Sequence, residues 1–273
     1  MNIKNLMNIE NLMNIEIKEI TNRRLLKKSI IFANNLYKGN KYSCPILVAD
    51  EMAFFNKNIN PVYDFSESVH YIAYKDGNIV GRITGIINTL ANEKWNVRNV
   101  RFGYFDFIED YNVFKGLLDA VVAWGKTKGM TKLNGPVGFT DLDKEGLLIE
   151  GFEEQTPMPM IYNYPYYEAF YNRYGLRKEA DWVELFINVP KELPEKLVRV
   201  GEYIMERRKL KAVKCKNTKE FKDKYSIPFS NLFEICYEQL YNVSPMTDRL
   251  KQYYLNQFLP ILNFEVSKSK PIS

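Results

Sequence analysis

The sequence predicts an α/β protein built around a mixed sheet. Two runs of alternating apolar residues flank Asp76 and Gly77, and an Asp-Gly pair in that setting is typical of a hairpin with a type I′ turn. Further along, apolar residues recur at helical spacing over 113–128, and a short apolar run follows over 131–139. A hairpin that leads into a strand–helix–strand unit predicts antiparallel and parallel pairing in one α/β (α+β mixed) sheet.

The other elements of this region follow from local patterns. Residues 13–20 alternate apolar and polar positions and predict a strand, after which Thr21 can cap a helix that ends near Leu36. Residues 97–107 predict a further strand. After a glycine- and proline-containing loop at 140–160, a short helix is expected at Tyr166–Tyr174, ended by Gly175, and then a strand at Trp182–Val189.

The character of the chain changes after Pro190. A helix is expected after Pro194, with Leu197, Val200 and Ile204 on one face, and a short strand is expected at 210–215. The sequence ends in an apolar stretch without an evident partner. We therefore expect a duplicated or disordered N-terminus at 1–12, a first domain at 13–190, and an incomplete, mostly helical second domain at 191–273 that promotes self-association.

Composition narrows the classes of function. Of 273 residues, 46% are apolar and 26% are charged, as in ordinary globular proteins, and the net charge of +5 is scattered. No motif for reading DNA is present, and no apolar run is long enough for a membrane span. The spacing of the three cysteines fits neither a zinc site nor a disulfide framework, so we expect no metal and a cytoplasmic location.

The predicted order of elements resembles that of the GNAT superfamily, the acyl-CoA N-acyltransferases. Residues 163–175, NYPYYEAFYNRYG, are similar to the last helix of that family, with Tyr171 at the position of the family tyrosine. The segments LNGPVGF, EGLLIEGFEEQTPMP and YNYPYYEAFYNRYGLRKEADW also resemble uncharacterised bacterial GNAT-like proteins with two tandem domains. The resemblance covers about residues 13–190 and implies that residues 191–273 form an incomplete second GNAT-like domain.

The resemblance implies transfer of an acyl group from acyl-CoA or acetyl-CoA to a small-molecule or peptide amine. Tyr171 would protonate the leaving thiolate, and either Asp106 or Glu109 would accept the proton of the amine. Both carboxylates also fit a plain loop or a helix cap. The residues expected to bind the co-substrate lie at the ends of two strands: Phe107, Ile108, Asn112, Val113, Asn134 and Gly135. Gly135 with Pro136 also fits a simple turn.

One segment departs from the family pattern. The family holds the pyrophosphate of CoA with a glycine-rich motif at a helix N-terminus, whereas residues 107–114 read FIEDYNVF. This segment has no glycine, and the carboxylates of Glu109 and Asp110 repel phosphate. Two alternatives therefore stay open: a transferase of the same fold that uses aminoacyl-tRNA or another carrier, and an inactive, truncated binding module.

Two further features carry no chemistry in this reading. His70 lies within the first strand of the hairpin, where a single histidine is expected to pack. Residues 125–129, GKTKG, follow a helix and lack the strand–loop–helix context of a phosphate-binding loop.

Overall fold

A five-stranded mixed sheet forms the centre of the structure, as the sequence predicts. The computed structural model describes residues 15–188, 190–211, 213 and 215–261. The strands lie in the order β1-β2-β3-β4-β5, antiparallel from β1 to β4, with β5 parallel to β4. Their bounds are β1 Ile15–Glu19, β2 Ser66–Lys75, β3 Asn78–Asn88, β4 Asn99–Phe107 and β5 Lys132–Asn134.

Nine α-helices lie within the described residues. They are α1 Arg23–Leu36, α2 Val48–Phe54, α3 Thr89–Lys94, α4 Tyr111–Thr127, α5 Tyr166–Tyr174, α6 Glu195–Arg207, α7 Thr218–Lys224, α8 Ser226–Tyr237 and α9 Asp248–Phe258. Short 3₁₀ helices occupy Pro61–Asp64 and Leu259–Ile261. Among these helices, none combines the length and the apolar character that a bilayer crossing requires.

The local turn and cap signals are mostly confirmed. Asp76 and Gly77 have φ angles of 50° and 76°, as a type I′ turn requires. Gly175 ends α5 in the left-handed conformation. The expected cap at Thr21 is wrong by one residue, because the side chain of Asn22 accepts the hydrogen bond from the Leu25 N–H at 3.0 Å.

Helix α4 packs closely on the sheet because small residues lie beneath it. A Cβ atom at Gly81 of β3 would lie 2.7 Å from Leu117 and 3.0 Å from Val113. Val113, Phe114, Leu117 and Val121 are fully buried in this interface. Since side chains alternate along a strand, Arg82 points to the opposite face of the sheet, where Glu51 of α2 contacts it.

The strand predicted at 131–139 is shorter in the structure. Strand β5 ends at Asn134, although the chain stays beside β4, where the Val137 N–H donates to the Phe102 carbonyl at 2.8 Å. A Cβ atom at Gly135 would lie 2.4 Å from that carbonyl oxygen, so only glycine allows the chain to turn this close to β4.

Two predicted strands are absent from the described residues that should form them. Residues 182–188 have no strand structure, and neither do residues 210, 211, 213 and 215. Neither segment belongs to the five-stranded sheet of the described residues. The expected duplicated N-terminus at 1–12 and the terminal apolar stretch lie outside the described residues.

The chain divides into two compact units. The first contains the described residues up to Ala180 together with Tyr237–Leu250, and the second contains Asp181–Cys236 together with the described residues from Lys251 onward. The sheet and its core belong to the first unit. In the second unit, helix α6 has no buried residue, and Val183 and Phe186 are 78% and 92% exposed.

Candidate active site

A cavity of about 310 Å³ lies on the face of the sheet opposite to α4. The end of α1 and the loop after it form one wall, and residues 136–147 and 156–163 form another. Its floor contains Arg82 of β3, Tyr104–Asp106 of β4 and Tyr171 of α5. Distant parts of the first unit thus converge on a single chamber, and all residues of this cavity belong to that unit.

A buried arginine held by two carboxylates lies in this cavity. Arg82 and Asp106 are register partners on neighbouring strands, and the Arg82 Nε donates to Asp106 Oδ2 at 2.7 Å. Arg82 Nη1 contacts Glu51 Oε1 from α2. Burial by itself would lower the pKa of Arg82, but the charges of Glu51 and Asp106 raise it above its ordinary value. The guanidinium is therefore permanently charged and organises both carboxylates.

Two tyrosines extend this network. The Tyr37 hydroxyl donates to Asp106 Oδ1 at 3.2 Å, and the hydroxyls of Tyr37 and Tyr167 lie 3.1 Å apart. The Tyr167 oxygen accepts from the Phe107 N–H at 3.2 Å. Burial is the main cause that raises the pKa of both phenols well above 10, so both remain proton donors at neutral pH. Both oxygens of Asp106 are consequently engaged.

Tyr171, the predicted proton donor, lines the same cavity as Asp106. Its ring packs against Phe102, Phe105 and Phe114, with centroids 5.2 to 6.3 Å away. Its hydroxyl has no hydrogen-bond partner among the residues that the structure describes. Burial first, and then the charge of Asp106, raise the pKa of Tyr171 well above 10. This phenol is held neutral and remains available to a ligand.

Strand β4 carries a bulge at the floor of the cavity. Gly103 pairs with Thr84 and Asp106 pairs with Arg82, so β4 has one residue more than β3 between these two pairs. Tyr104 takes up the extra length with a φ of 48°, which is uncommon for a residue other than glycine. A bulge interrupts the ladder of hydrogen bonds, and this one lies directly beside Asp106.

Glu109, the other predicted base, lies in a second cavity. That cavity, of about 520 Å³, is lined by Leu36, Ile108, Glu109 and Tyr164–Tyr166. Tyr166 closes over the end of β4, since its hydroxyl donates to the Phe107 carbonyl at 2.5 Å. The structure therefore brings Tyr171 and Asp106 together and places Glu109 apart from them.

The first turn of α4, where the family pattern places a pyrophosphate, is already occupied by the protein. Asp110 caps the helix, accepting from the Asn112 N–H at 2.9 Å, and it forms a 2.7 Å ion pair with Lys75. Val113 is fully buried under the sheet, and Phe107 is fully buried in the aromatic core. These groups are engaged within the protein and do not form a cradle for phosphate.

The predicted residues after β5 also have partners. The Asn134 side-chain amide donates to Glu179 at 3.2 Å and to the Tyr241 hydroxyl at 3.3 Å. Gly135 lies against the Phe102 carbonyl. Neither residue lines the cavity that contains Tyr171.

Several residues of the cavity were not expected from the sequence: Tyr37, Glu51, Arg82, Lys144 and Tyr167. Arg82 gave one usable signal, as a charged residue inside the apolar run of β3. Glu51 and Lys144 lie in segments without periodicity, and only tertiary contacts bring them to Arg82. Of the nearby aromatic residues, Tyr162 lines the cavity, whereas Phe54 and Phe55 do not.

His70 packs as expected. Its Nδ1 lies 2.9 Å from the Thr84 hydroxyl, and its ring contacts Phe55 edge to face at 4.6 Å. Burial lowers the pKa of His70 to about 3, with smaller contributions from Lys57 and Arg82, so the imidazole is neutral at physiological pH.

Two curated bacterial proteins are similar to parts of the chain, whereas no protein-family model matches it. Protein YghO of Escherichia coli is 28% identical over 240 residues, which are 85% of this chain and 58% of that protein. Bacterial ceramide synthase of Caulobacter vibrioides is 31% identical over 109 residues, which are 40% of this chain and 28% of that enzyme. The chain thus spans less than two thirds of the length of either relative.

Two solved structures have a related arrangement at low sequence identity. A predicted acetyltransferase from Clostridium acetobutylicum, determined with acetyl-CoA, shares 12% identity, with a TM-score of 0.40 over 63% of this chain and 96% of that one. A tandem GNAT protein from the clavulanic acid biosynthesis pathway shares 10% identity, with a TM-score of 0.39 over 59% of this chain and 43% of that one.

The topology of the chain itself decides the fold. An antiparallel meander from β1 to β4 is followed by helix α4 and then by a parallel strand β5, and the last helix of the sheet region carries Tyr171. This is the order of elements that the resemblance implied. The sheet-bearing unit of this chain therefore has the mixed α/β architecture and the order of elements expected of a GNAT-like fold.

Proposed function

We propose that the chain is an N-acyltransferase, which transfers an acyl group from a thioester, in the first instance acyl-CoA, to an amine. One observation carries the proposal. The cavity joins a neutral phenol at Tyr171, a carboxylate network around Arg82 and the bulge of β4 in one chamber. These are the proton donor, the proton acceptor and the interrupted backbone that aminolysis of a thioester requires.

Proton removal from the amine is assigned to the carboxylate pair. Asp106, the residue expected from the sequence, has both oxygens engaged by Arg82 and Tyr37. Glu51 contacts Arg82 through Oε1 only, and its other oxygen has no partner among the described residues. Glu51 therefore accepts the proton, and Asp106 holds Arg82 and Tyr37 in place.

The nitrogen of the neutral amine forms a bond with the thioester carbonyl carbon, and Glu51 takes the nitrogen proton that this bond makes acidic. Backbone N–H groups at the bulge stabilise the oxygen of the tetrahedral intermediate. The carbon–sulfur bond breaks, and the thiolate takes the proton of the Tyr171 hydroxyl, giving an amide and a free thiol. After the thiol departs, Glu51 releases its proton to solvent and Tyr171 regains one from solvent.

The first turn of α4 does not bind the phosphates of the donor, because the Asn112 N–H there already donates to the Asp110 carboxylate. If acyl-CoA is the donor, only its thioester and acyl chain occupy the chambers described above. The similarity to Bacterial ceramide synthase supports formation of an amide with a fatty acyl group, because a ceramide is such an amide. Aromatic and aliphatic side chains around both cavities suit an apolar chain.

The occupied helix terminus supports a second candidate, a transferase of the same fold that uses aminoacyl-tRNA or another carrier. A tRNA donor requires binding that weakens steeply as salt concentration rises, because it depends on phosphate contacts. A binding module without catalysis would show neither donor dependence nor thiol release.

The test is calorimetric titration of the chain with CoA, acetyl-CoA and decanoyl-CoA, followed by a thiol-release assay with an amine panel. We expect decanoyl-CoA to bind more tightly than CoA, and Glu51→Gln to abolish thiol release while decanoyl-CoA still binds. Binding of a tRNA in place of all three would support the second candidate. Binding of none of these donors would contradict the transferase proposals.

A further inference from the structure

Two lysines that line the cavity, Lys38 and Lys144, form no ion pair with any residue that the structure describes. Lys38 is exposed, whereas Lys144 is partly buried. Lys144 lines the cavity beside Glu51, Arg82 and Asp106. It forms no ion pair and no hydrogen bond with any residue in the described part of the chain. The basic group on the floor, Arg82, already forms ion pairs with the two carboxylates of Glu51 and Asp106, which neutralise its charge.

The loop that carries Lys144 is ordered by its own hydrogen bonds. On one side, the Thr140 N–H donates to Asp143 Oδ2 at 3.0 Å. On the other side, the Gly146 N–H donates to the Pro136 carbonyl at 2.8 Å. A lysine held between two such anchors keeps its position on the cavity wall, although its ammonium group pairs with none of the described residues.

An ammonium group in this position needs an anionic partner. Burial lowers the pKa of Lys144, and the nearby charges of Glu51 and Asp106 oppose that effect. A partly buried cation is stabilised when it is paired, and neither carboxylate lies within ion-pair distance of Lys144. A ligand that brings an anionic group would complete the site.

The anionic group belongs to the acceptor and not to the donor. In acyl-CoA, the pantetheine arm separates the phosphates from the thioester, and the acyl chain is uncharged. The amine, in contrast, is placed by the proposed function at Glu51, and Glu51 is the strongest electrostatic neighbour that favours a charged Lys144. A group next to the amine nitrogen would therefore meet Lys144.

We propose that the acceptor is an amine with a carboxylate or phosphate close to its nitrogen, and that Lys144 binds this anionic group. The inference rests on the proposed function for the identity of the reaction. The amine is directed to Glu51 and the acid to Lys144, so the cavity selects a zwitterionic compound such as an α-amino acid or a phosphorylated amino alcohol. Lys144 is then a specificity-determining residue, and Glu51 acts on the proton.

Matched probes test this selection by calorimetry on the full chain. L-phenylalanine and 2-phenylethylamine differ only by a carboxylate, and O-phosphoethanolamine and ethanolamine differ only by a phosphate. We expect the anionic member of at least one pair to bind tenfold or more tightly than its neutral analogue. The pair that shows the difference identifies the acid. Lys144→Met should remove the preference, and Lys144→Glu should reverse it.

Lys126→Met is the matched control, since it makes the same change in net charge on an exposed position of α4. It should keep the preference, and the melting temperatures of all variants show whether they fold. Equal binding within both pairs, no binding of any probe, or an undiminished preference in Lys144→Met would each overturn the inference.

A parallel thiol-release assay with decanoyl-CoA separates this inference from the proposed function. Acylation of 2-phenylethylamine as readily as of L-phenylalanine would support the transferase proposal. It would contradict the proposal that the acceptor is zwitterionic. A Lys144-dependent preference in binding, without thiol release, would retain the acceptor site and remove the acyl transfer.

Discussion

At the scale of single residues, burial sets the protonation states in the first unit. Tyr171, Tyr167 and Tyr37 stay neutral because their hydroxyls are removed from water. Arg82 stays charged because two carboxylates offset its burial. The apolar surroundings of the cavity therefore keep the Tyr171 phenol protonated, and they strengthen the ion pairs that Arg82 forms with its two carboxylates.

Replacing Tyr171 by phenylalanine removes the proposed proton donor. We expect kcat for thiol release to fall about 100-fold, with little change in the affinity for decanoyl-CoA, because a general acid typically contributes 10² or more. Tyr174→Phe is the control on the same helix, since its hydroxyl donates to Asp119 at 2.7 Å outside the cavity. Equal losses in both variants would show that α5 is merely destabilised.

The buried His70 makes stability depend on pH. Its pKa falls from 6.5 to about 3 on folding, so the unfolded chain binds more protons within this interval. The contribution to stability is complete above pH 6.5 and is lost as the pH falls towards 3. The slope of the free energy of unfolding reaches at most about 1.4 kcal/mol per pH unit.

Urea unfolding of the wild type and of His70→Gln from pH 7 to pH 4 isolates this effect. Asp143 and Glu145 oppose it, since burial raises the pKa of each to about 7 and their contribution is lost as the pH rises. The difference in the free energy of unfolding between the wild type and His70→Gln should therefore change with pH. This holds even where the free energy of unfolding of the wild type does not vary with pH. A constant difference would mean that His70 is solvated.

At the scale of elements, the contact between α4 and the sheet determines which substitutions are tolerated. Gly116 and Gly125 lie on the same helix and carry the same intrinsic penalty relative to alanine. A Cβ at Gly125 would lie 2.6 Å from Val100 of β4, whereas one at Gly116 would lie 3.3 Å from the end of the Ile17 side chain. The two positions thus differ only in how closely an added Cβ atom would approach the sheet.

We expect Gly125→Ala to lower the free energy of unfolding by about 1 to 3 kcal/mol, because the methyl group overpacks the interface with β4. Gly116→Ala should change it by less than about 1 kcal/mol in either direction, since a gain in helix propensity offsets a mild contact. Chemical unfolding followed by tryptophan fluorescence measures both. Equal effects would contradict the packing seen between α4 and β4.

At the scale of the whole molecule, chain order and the two units do not coincide. Residues 237–250 belong to the first unit, although they follow the second one in sequence. Trp95 donates to the Val243 carbonyl at 3.0 Å, and Arg101 donates to Asn242 Oδ1 at 3.0 Å. Asn88 donates to Ser244 at 3.0 Å. These contacts hold the late segment on α3, β3 and β4.

The exposed apolar residues of the second unit predict self-association. Phe186, at 92% exposed, should contribute through its large apolar area. Sedimentation velocity over a range of concentrations should show association in the wild type that Phe186→Ser weakens. Ile59→Ser is the control, because Ile59 is an apolar side chain of the first unit that is 50% exposed. A wild type that stays monomeric throughout would contradict the prediction.

By itself, the sequence determined the elements whose hydrogen bonds are local. The turn at Asp76 and Gly77, the helix over Tyr111–Thr127 and the end of α5 at Gly175 depend on residues a few positions apart. Their signals are therefore present in short segments, and the mixed sheet follows from the order of these elements. The role predicted for Tyr171 came instead from the resemblance of residues 163–175 to the last helix of the GNAT family.

Only the tertiary structure decided the composition of the site. The bonds that assemble it join residues 24, 31, 69 and 130 positions apart: Arg82 to Asp106, Arg82 to Glu51, Tyr37 to Asp106 and Tyr37 to Tyr167. A local pattern contains no information on such pairs. The same reason explains the strand wrongly expected from Trp182 onward, because a strand exists only where a distant segment supplies its hydrogen bonds.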